Sequence, residues 1–81
     1  MKIRPIDLML VKLEAAADAR EVVLEECETY VGICQLLTDW DFGTVPTQAE
    51  KTNAYNSLHE LFRAFGLDFE TNLREIVLME L

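Results

Sequence analysis

The stretch from Pro5 to about Thr38 constrains the fold most, because it contains no internal proline and Gly32 is its only glycine. Alanine, leucine and glutamate, all strong helix formers, are abundant in it. The stretch predicts one helix over residues 5–38, about 50 Å long, with Pro5 in the first turn, where its missing N–H is tolerated. A break around Ala17–Ala19 is the alternative.

Apolar residues recur along this stretch in steps of three and four, the spacing of a coiled-coil seam. The seam consists of Ile6, Met9, Leu13, Ala16, Arg20, Val23, Cys27, Tyr30, Cys34 and Leu37. Flanking apolar rows widen this face to roughly 200° of the helix circumference. Such a helix needs cover on more than one side.

A loop follows the long helix, because Gly43 and Pro46 break the helical pattern. Thr47 and Glu50 then have capping-box spacing, in which each side chain bonds a free backbone N–H of the other residue. The spacing predicts a second helix over residues 47–65.

Gly66 supplies the left-handed residue with which many helices end, and Asp68 is suited to cap the start of another helix. A third helix is therefore expected over residues 68–80. The sequence predicts an all-α fold: a single helical domain over residues 1–81, with two shorter helices packed along a long N-terminal one.

The two shorter helices together match the length of the long helix, so they cover one side of it. A second copy of the chain is the simplest cover for the rest, because large apolar patches are rare on soluble monomers. We therefore expect a helical bundle completed by homodimerisation, parallel or antiparallel. The expected dimer interface consists of Leu13, Ala16, Arg20, Val23, Cys27 and Tyr30.

Arg20 is the polar member of the seam, and its helical neighbours three and four residues away cannot pair with it. One interpretation is that its stem packs on the helix while the guanidinium reaches water. The other is that it meets a carboxylate of the second subunit and fixes the register of the dimer.

A row of acidic residues follows the opposite face of the predicted long helix. Its members are Asp7, Glu14, Asp18, Glu21, Glu25 and Glu28. The row contains two like-charged pairs four residues apart, Glu14 with Asp18 and Glu21 with Glu25. Such pairs weaken a helix slightly. The row is either a solvated face or a binding surface, and a basic groove on a partner protein is the favoured ligand.

Two large aromatics stand in the loop after the long helix. Trp40 and Phe42 either cap the end of the helical core or offer an exposed anchor for a partner. In the second case Asp39 and Asp41 add charge complementarity to a basic surface.

The net charge of −8 argues against direct binding to nucleic acid or to anionic lipid. The apolar run between Asp7 and Lys12 is too short for a signal sequence or a membrane span. We therefore expect a cytoplasmic protein without a membrane partner.

No catalytic or metal site is expected, and no cofactor. His59 begins a zinc-protease pattern, but Arg63 stands where the second ligand belongs. Glu25, Glu26 and Glu28 miss the Glu-Glu-x-x-Glu spacing with which all-helical nucleotide pyrophosphohydrolases hold magnesium.

Three functions remain under consideration. The first is a small acidic, non-enzymatic interaction module that regulates or inhibits a larger partner by occupying its surface. The second is a nucleic-acid mimic whose acidic helix face blocks a nucleic-acid-binding protein. A small magnesium-dependent helical enzyme is the third and is disfavoured by the failed motif.

Overall fold

The computed structural model describes residues 4–79, and all regular structure among them is helical. Helix α1 spans Pro5–Ala19, α2 spans Glu28–Asp41, α3 spans Gln48–Ala64 and α4 spans Phe69–Met79. A short 3₁₀ turn, Leu24–Glu26, lies between α1 and α2. The predicted all-α class is confirmed.

The single helix predicted over residues 5–38 is wrong, because the chain leaves the helix after Ala19 and starts a new one at Glu28. The Val22 N–H bonds the Ala17 carbonyl at 2.9 Å and the Glu21 N–H bonds the Asp18 carbonyl at 3.1 Å. This Schellman pair requires a left-handed backbone at the first of its two donor residues, and Glu21 supplies it with a φ of 56°. The break therefore falls next to Ala17–Ala19, the alternative site.

The second half of the chain follows its local signals closely. The Glu50 N–H donates to Thr47 Oγ1 at 3.1 Å, and the Thr47 N–H donates to Glu50 Oε1 at 3.0 Å. This reciprocal pair is the expected capping box, and α3 starts one residue after Thr47. Gly66 has the expected left-handed conformation, with a φ of 72°.

Asp68 caps the next helix as predicted, because its Oδ1 accepts a hydrogen bond from the Thr71 N–H at 3.0 Å. Helix α4 then runs to Met79. The predicted end of this helix at residue 80 lies outside the described residues.

The core lies where α1 packs against α3 and α4 and where α2 packs against α3. The largest fully buried side chains are Met9, Leu13, Leu58, Phe62 and Ile76. The molecule measures 34 × 32 × 23 Å, so a 50 Å rod is absent. The apolar face of α1 is covered by helices of the same chain. Cover for this face therefore does not require a second copy. Dimerisation itself stays a prediction.

Several large apolar side chains are nevertheless exposed in the single chain. They are Val11, Val22, Val23, Val31, Phe42, Val45, Val77 and Leu78. Within the part of the chain that the structure describes, no helix has the length and apolar character to cross a membrane.

Candidate functional site

The turn between α1 and α2 encloses a cleft lined by three of the predicted acidic residues. Glu14 and Asp18 reach it from α1, and Glu25 reaches it from the 3₁₀ turn. We call this hollow, of about 290 Å³, the acidic cleft; Ala17, Val22, Leu24 and Tyr30 complete its lining. The turn thus brings Glu25 to the same cleft as Glu14 and Asp18 of α1.

Glu14 and Tyr30 join α1 to α2 across this cleft. The Tyr30 hydroxyl donates a hydrogen bond to Glu14 Oε2, and Tyr30 is buried. This bond, followed by partial burial, raises the pKa of the Tyr30 phenol above its usual value. Tyr30 is therefore a neutral donor that holds one of the three cleft carboxylates in place.

The remaining acids around the turn are exposed. Among residues 4–79, no basic residue forms an ion pair with any of four of these acids: Asp18, Glu21, Glu25 and Glu28. Between residues 14 and 28 the sequence has six acidic residues and one basic residue, Arg20. This end of the molecule therefore carries concentrated negative charge that nearby side chains do not neutralise.

The structure does not bring all the predicted partner-binding residues onto one surface. Glu28 lies in a groove between α2 and α3, outside the acidic cleft. Asp39, Trp40 and Asp41 stand in the last turn of α2, about 20 Å from its start. The predicted set therefore divides between the two ends of α2.

Trp40 is half-buried, and two cations lie close to its ring. The guanidinium of Arg4 is 4.6 Å from the centre of its ring, and Lys51 Nζ is 4.9 Å from it. Arg4 also pairs with Asp41 at 3.0 Å and with Asp7 at 2.9 Å. The two cation contacts agree with a Trp40 that caps the core. The ion pairs with Arg4 also mean that Asp7 and Asp41 already have a partner within the chain. Phe42 is the exposed aromatic of this loop, at 86%.

Arg20 finds its partners at two helix ends of its own chain. Its guanidinium donates to the Ala16 carbonyl of α1 at 3.0 Å and to the Phe65 carbonyl after α3 at 3.1 Å. A cation is favourable there, because carbonyl groups at a helix C-terminus carry partial negative charge. Arg20 thus ties the turn to the end of α3, and no carboxylate of a second subunit is needed to satisfy it.

The predicted dimer-interface positions have different environments in the single chain. Leu13 and Tyr30 are buried, Ala16 and Cys27 are half-buried, and Arg20 and Val23 are exposed. A second copy that docks on the folded chain can contact only the exposed and half-buried members of this set.

Sequence reasoning missed Arg4 as the residue that joins the start of α1 to the end of α2. The spacing of Arg4 and Asp7 was a visible signal, because residues three apart at a helix start can pair. The bond between Tyr30 and Glu14 had no such signal, since it exists only after the chain folds back. Among the described residues, no group of three or more histidine, cysteine, aspartate or glutamate side chains is arranged to hold a metal ion.

Comparisons of the chain with protein-family models, with curated proteins and with solved structures give no match. Over residues 4–79 the fold is that of a small all-α protein with four α-helices.

Proposed function

We propose that the protein is a non-enzymatic interaction module that regulates or inhibits a larger protein by binding a basic surface of it. The observation that carries this proposal is the acidic cleft, where Glu14, Asp18 and Glu25 converge. Asp18 and Glu25 are exposed there and form no ion pair within residues 4–79, so the cleft is electrostatically complementary to a cationic ligand. The net charge of −8 adds long-range attraction to such a partner.

The nucleic-acid mimic is the second candidate and keeps less support. A mimic of a phosphate backbone needs charges repeated along a line, and the acidic row turns back on itself after Ala19. Glu28 then projects into a different groove. Homodimerisation remains part of the proposal as an independent expectation, and analytical ultracentrifugation at micromolar concentration tests it.

The acidic cleft is tested by removing charge without disturbing the bond between Tyr30 and Glu14. Asp18→Asn combined with Glu25→Gln neutralises two exposed carboxylates with little change of shape. The matched control is Glu60→Gln with Glu70→Gln, which removes the same charge from exposed positions on α3 and α4. Each protein is used as bait in native cell extract, with quantitative mass spectrometry of what it retains.

We expect the wild type and the control to retain the same partner at low salt and the cleft variant to lose most of it. Binding should also weaken steeply as salt rises, because exposed charges are screened. Equal retention of the partner by the cleft variant at low salt contradicts the proposal and leaves the acidic residues as a solvated face.

A further inference from the structure

A second hollow surface of the molecule lies between α2 and α3. Two adjoining hollows, of about 330 and 350 Å³, share Gly32, Leu36 and Glu50 as lining residues. On α2 the lining runs from Glu28 to Asp39, about 16 Å along the helix axis. We call this surface the α2–α3 groove; it is as long as three turns of an α-helix.

The groove has an apolar and shallow floor. Ile33 and Leu36 from α2 and Ala54 from α3 line it, and Leu36 is only half-buried. Ser57 on α3 and Gly32 on α2 add small residues beside them. Small residues on facing helices allow another backbone to approach closely.

Gly32 has no evident role within the chain itself. It stands in the interior of α2, and it is not among the glycines with positive φ. A Cβ atom built on it meets nothing within 4 Å, so packing inside the chain does not require a glycine. Because glycine weakens a helix interior relative to alanine, its presence there needs another reason. Close approach by a molecule outside the chain is such a reason.

Three carboxylates line the groove along its length. Glu28 stands at one end, Asp39 at the other and Glu50 between them, and all three residues are exposed. Its lining contains no basic residue. An apolar floor with acidic margins is complementary to a helix that has an apolar face flanked by lysine or arginine.

We infer that the α2–α3 groove binds one amphipathic, positively charged helix of a partner protein. The apolar face of that helix packs over Leu36 and Gly32, and its basic residues lie beside Glu28, Glu50 and Asp39. A second copy of this chain is a poor occupant, because each copy carries a charge of −8.

This inference goes beyond the acidic cleft, because it concerns a different side of α2. Glu28 and Tyr30 are two positions apart in the helix, which places them about 200° apart around its axis. A ligand seated over Gly32 therefore does not cover the side of α2 that carries Tyr30. The two surfaces can be altered separately.

The test uses a fluorescent synthetic helix of about 15 residues, with leucines on one face and lysines on both flanks, and measures its fluorescence anisotropy at low salt. Gly32→Leu fills the groove without changing the charge. We expect this variant to weaken binding by about tenfold or more, equal to at least about 1.4 kcal/mol. Its melting temperature should not fall, because leucine is a better helix former than glycine and meets open space.

Two further variants separate the groove from the acidic cleft. Glu28→Gln should weaken peptide binding several-fold and reduce its salt dependence, whereas Asp18→Asn with Glu25→Gln should bind the peptide almost as tightly as the wild type. In amide NMR spectra, the peptide should shift resonances of α2 and α3 around Gly32.

Three outcomes overturn the inference: a wild type that does not bind the peptide, a Gly32→Leu variant that binds it unchanged, or loss of binding confined to the Asp18 and Glu25 variant. The last outcome places a cationic helix in the acidic cleft, so it supports the proposed function while rejecting the groove. Loss of the cellular partner by the cleft variant, together with peptide binding at the groove, supports both surfaces.

Discussion

The ends of α1 and α3 are built alike but differ in the residue at their turning point. After α3, the Leu67 N–H bonds the Phe62 carbonyl at 2.9 Å, with Gly66 at a φ of 72°. After α1, the corresponding bond, from Val22 to Ala17, is also 2.9 Å. The left-handed residue there is Glu21, at a φ of 56°.

A turn of this hydrogen-bonded type can be recognised in a sequence when glycine is its left-handed residue, but not when glutamate is. Glycine adopts positive φ readily, whereas a residue with a Cβ atom meets steric conflict there. Gly66 therefore marked the end of α3, but Glu21 continued a good helical pattern and concealed the end of α1. The packing of α1 against α3 and α4 offsets the local cost.

Substitutions before and after Glu21 test whether the turn divides the apolar seam. Leu13→Ala should lower the free energy of unfolding by about 2–5 kcal/mol, because Leu13 is fully buried before the turn. Val23→Ala should change it by less than about 0.5 kcal/mol, because Val23 is exposed after the turn. Urea denaturation followed by circular dichroism measures both variants.

Similar large losses of stability in the two variants would contradict a division of the seam at Glu21. They would mean that Val23 is buried in solution, either in an unbroken helix or against a second copy of the chain. Ultracentrifugation of the same samples distinguishes these two cases, because only the second changes the mass.

A medium effect is expected at the contact that closes the α1–α2 turn. Tyr30→Phe removes the hydroxyl that donates to Glu14 and should cost about 1.5 kcal/mol, the lower end of the range for a hydrogen bond to a charged group, because Glu14 is exposed. Glu14→Gln is the comparison variant for this contact. It keeps an acceptor and should cost less than Tyr30→Phe.

The same contact predicts a dependence of stability on alkaline pH. The folded state raises the pKa of Tyr30, so its contribution to stability is complete below the unfolded tyrosine pKa of about 10 and is lost as pH rises above it. Wild type should therefore lose more stability than Tyr30→Phe between about pH 9.5 and 11. Parallel losses in the two proteins would assign the alkaline transition to other groups.

Glycine substitutions at the two left-handed positions should change the free energy of unfolding least. Glu21→Gly should raise the free energy of unfolding by about 1 kcal/mol, because glycine tolerates the positive φ. Gly66→Ala should lower it by about the same amount for the converse reason. Thermal denaturation at neutral pH checks both changes. Destabilisation by Glu21→Gly would show that the Glu21 side chain has a role of its own, or that the turn is not populated.

Parts of this structure could be predicted from sequence because their causes are local. The capping box of Thr47 and Glu50 and the cap at Asp68 each depend on residues within three positions of one another. The partners of Arg20 could not be predicted, because Phe65 is distant in sequence and approaches only in the folded chain. The acidic residues could be singled out from the sequence, but the placement of Glu14, Asp18 and Glu25 in one cleft depends on the unpredicted turn.

The strained turn at Glu21 also bears on the dimer that the sequence suggests. We expect the folded-back chain and this dimer to exclude each other. If residues 19–28 straighten into one helix, the left-handed strain disappears, but Leu13 and the rest of the buried face of α1 lose their cover. A second chain that opens in the same way can supply its own α3 and α4 as that cover. Short hinges under strain favour such domain exchange. If the protein dimerises in this way, we expect Glu21 to act as the hinge and the dimer fraction to rise with protein concentration.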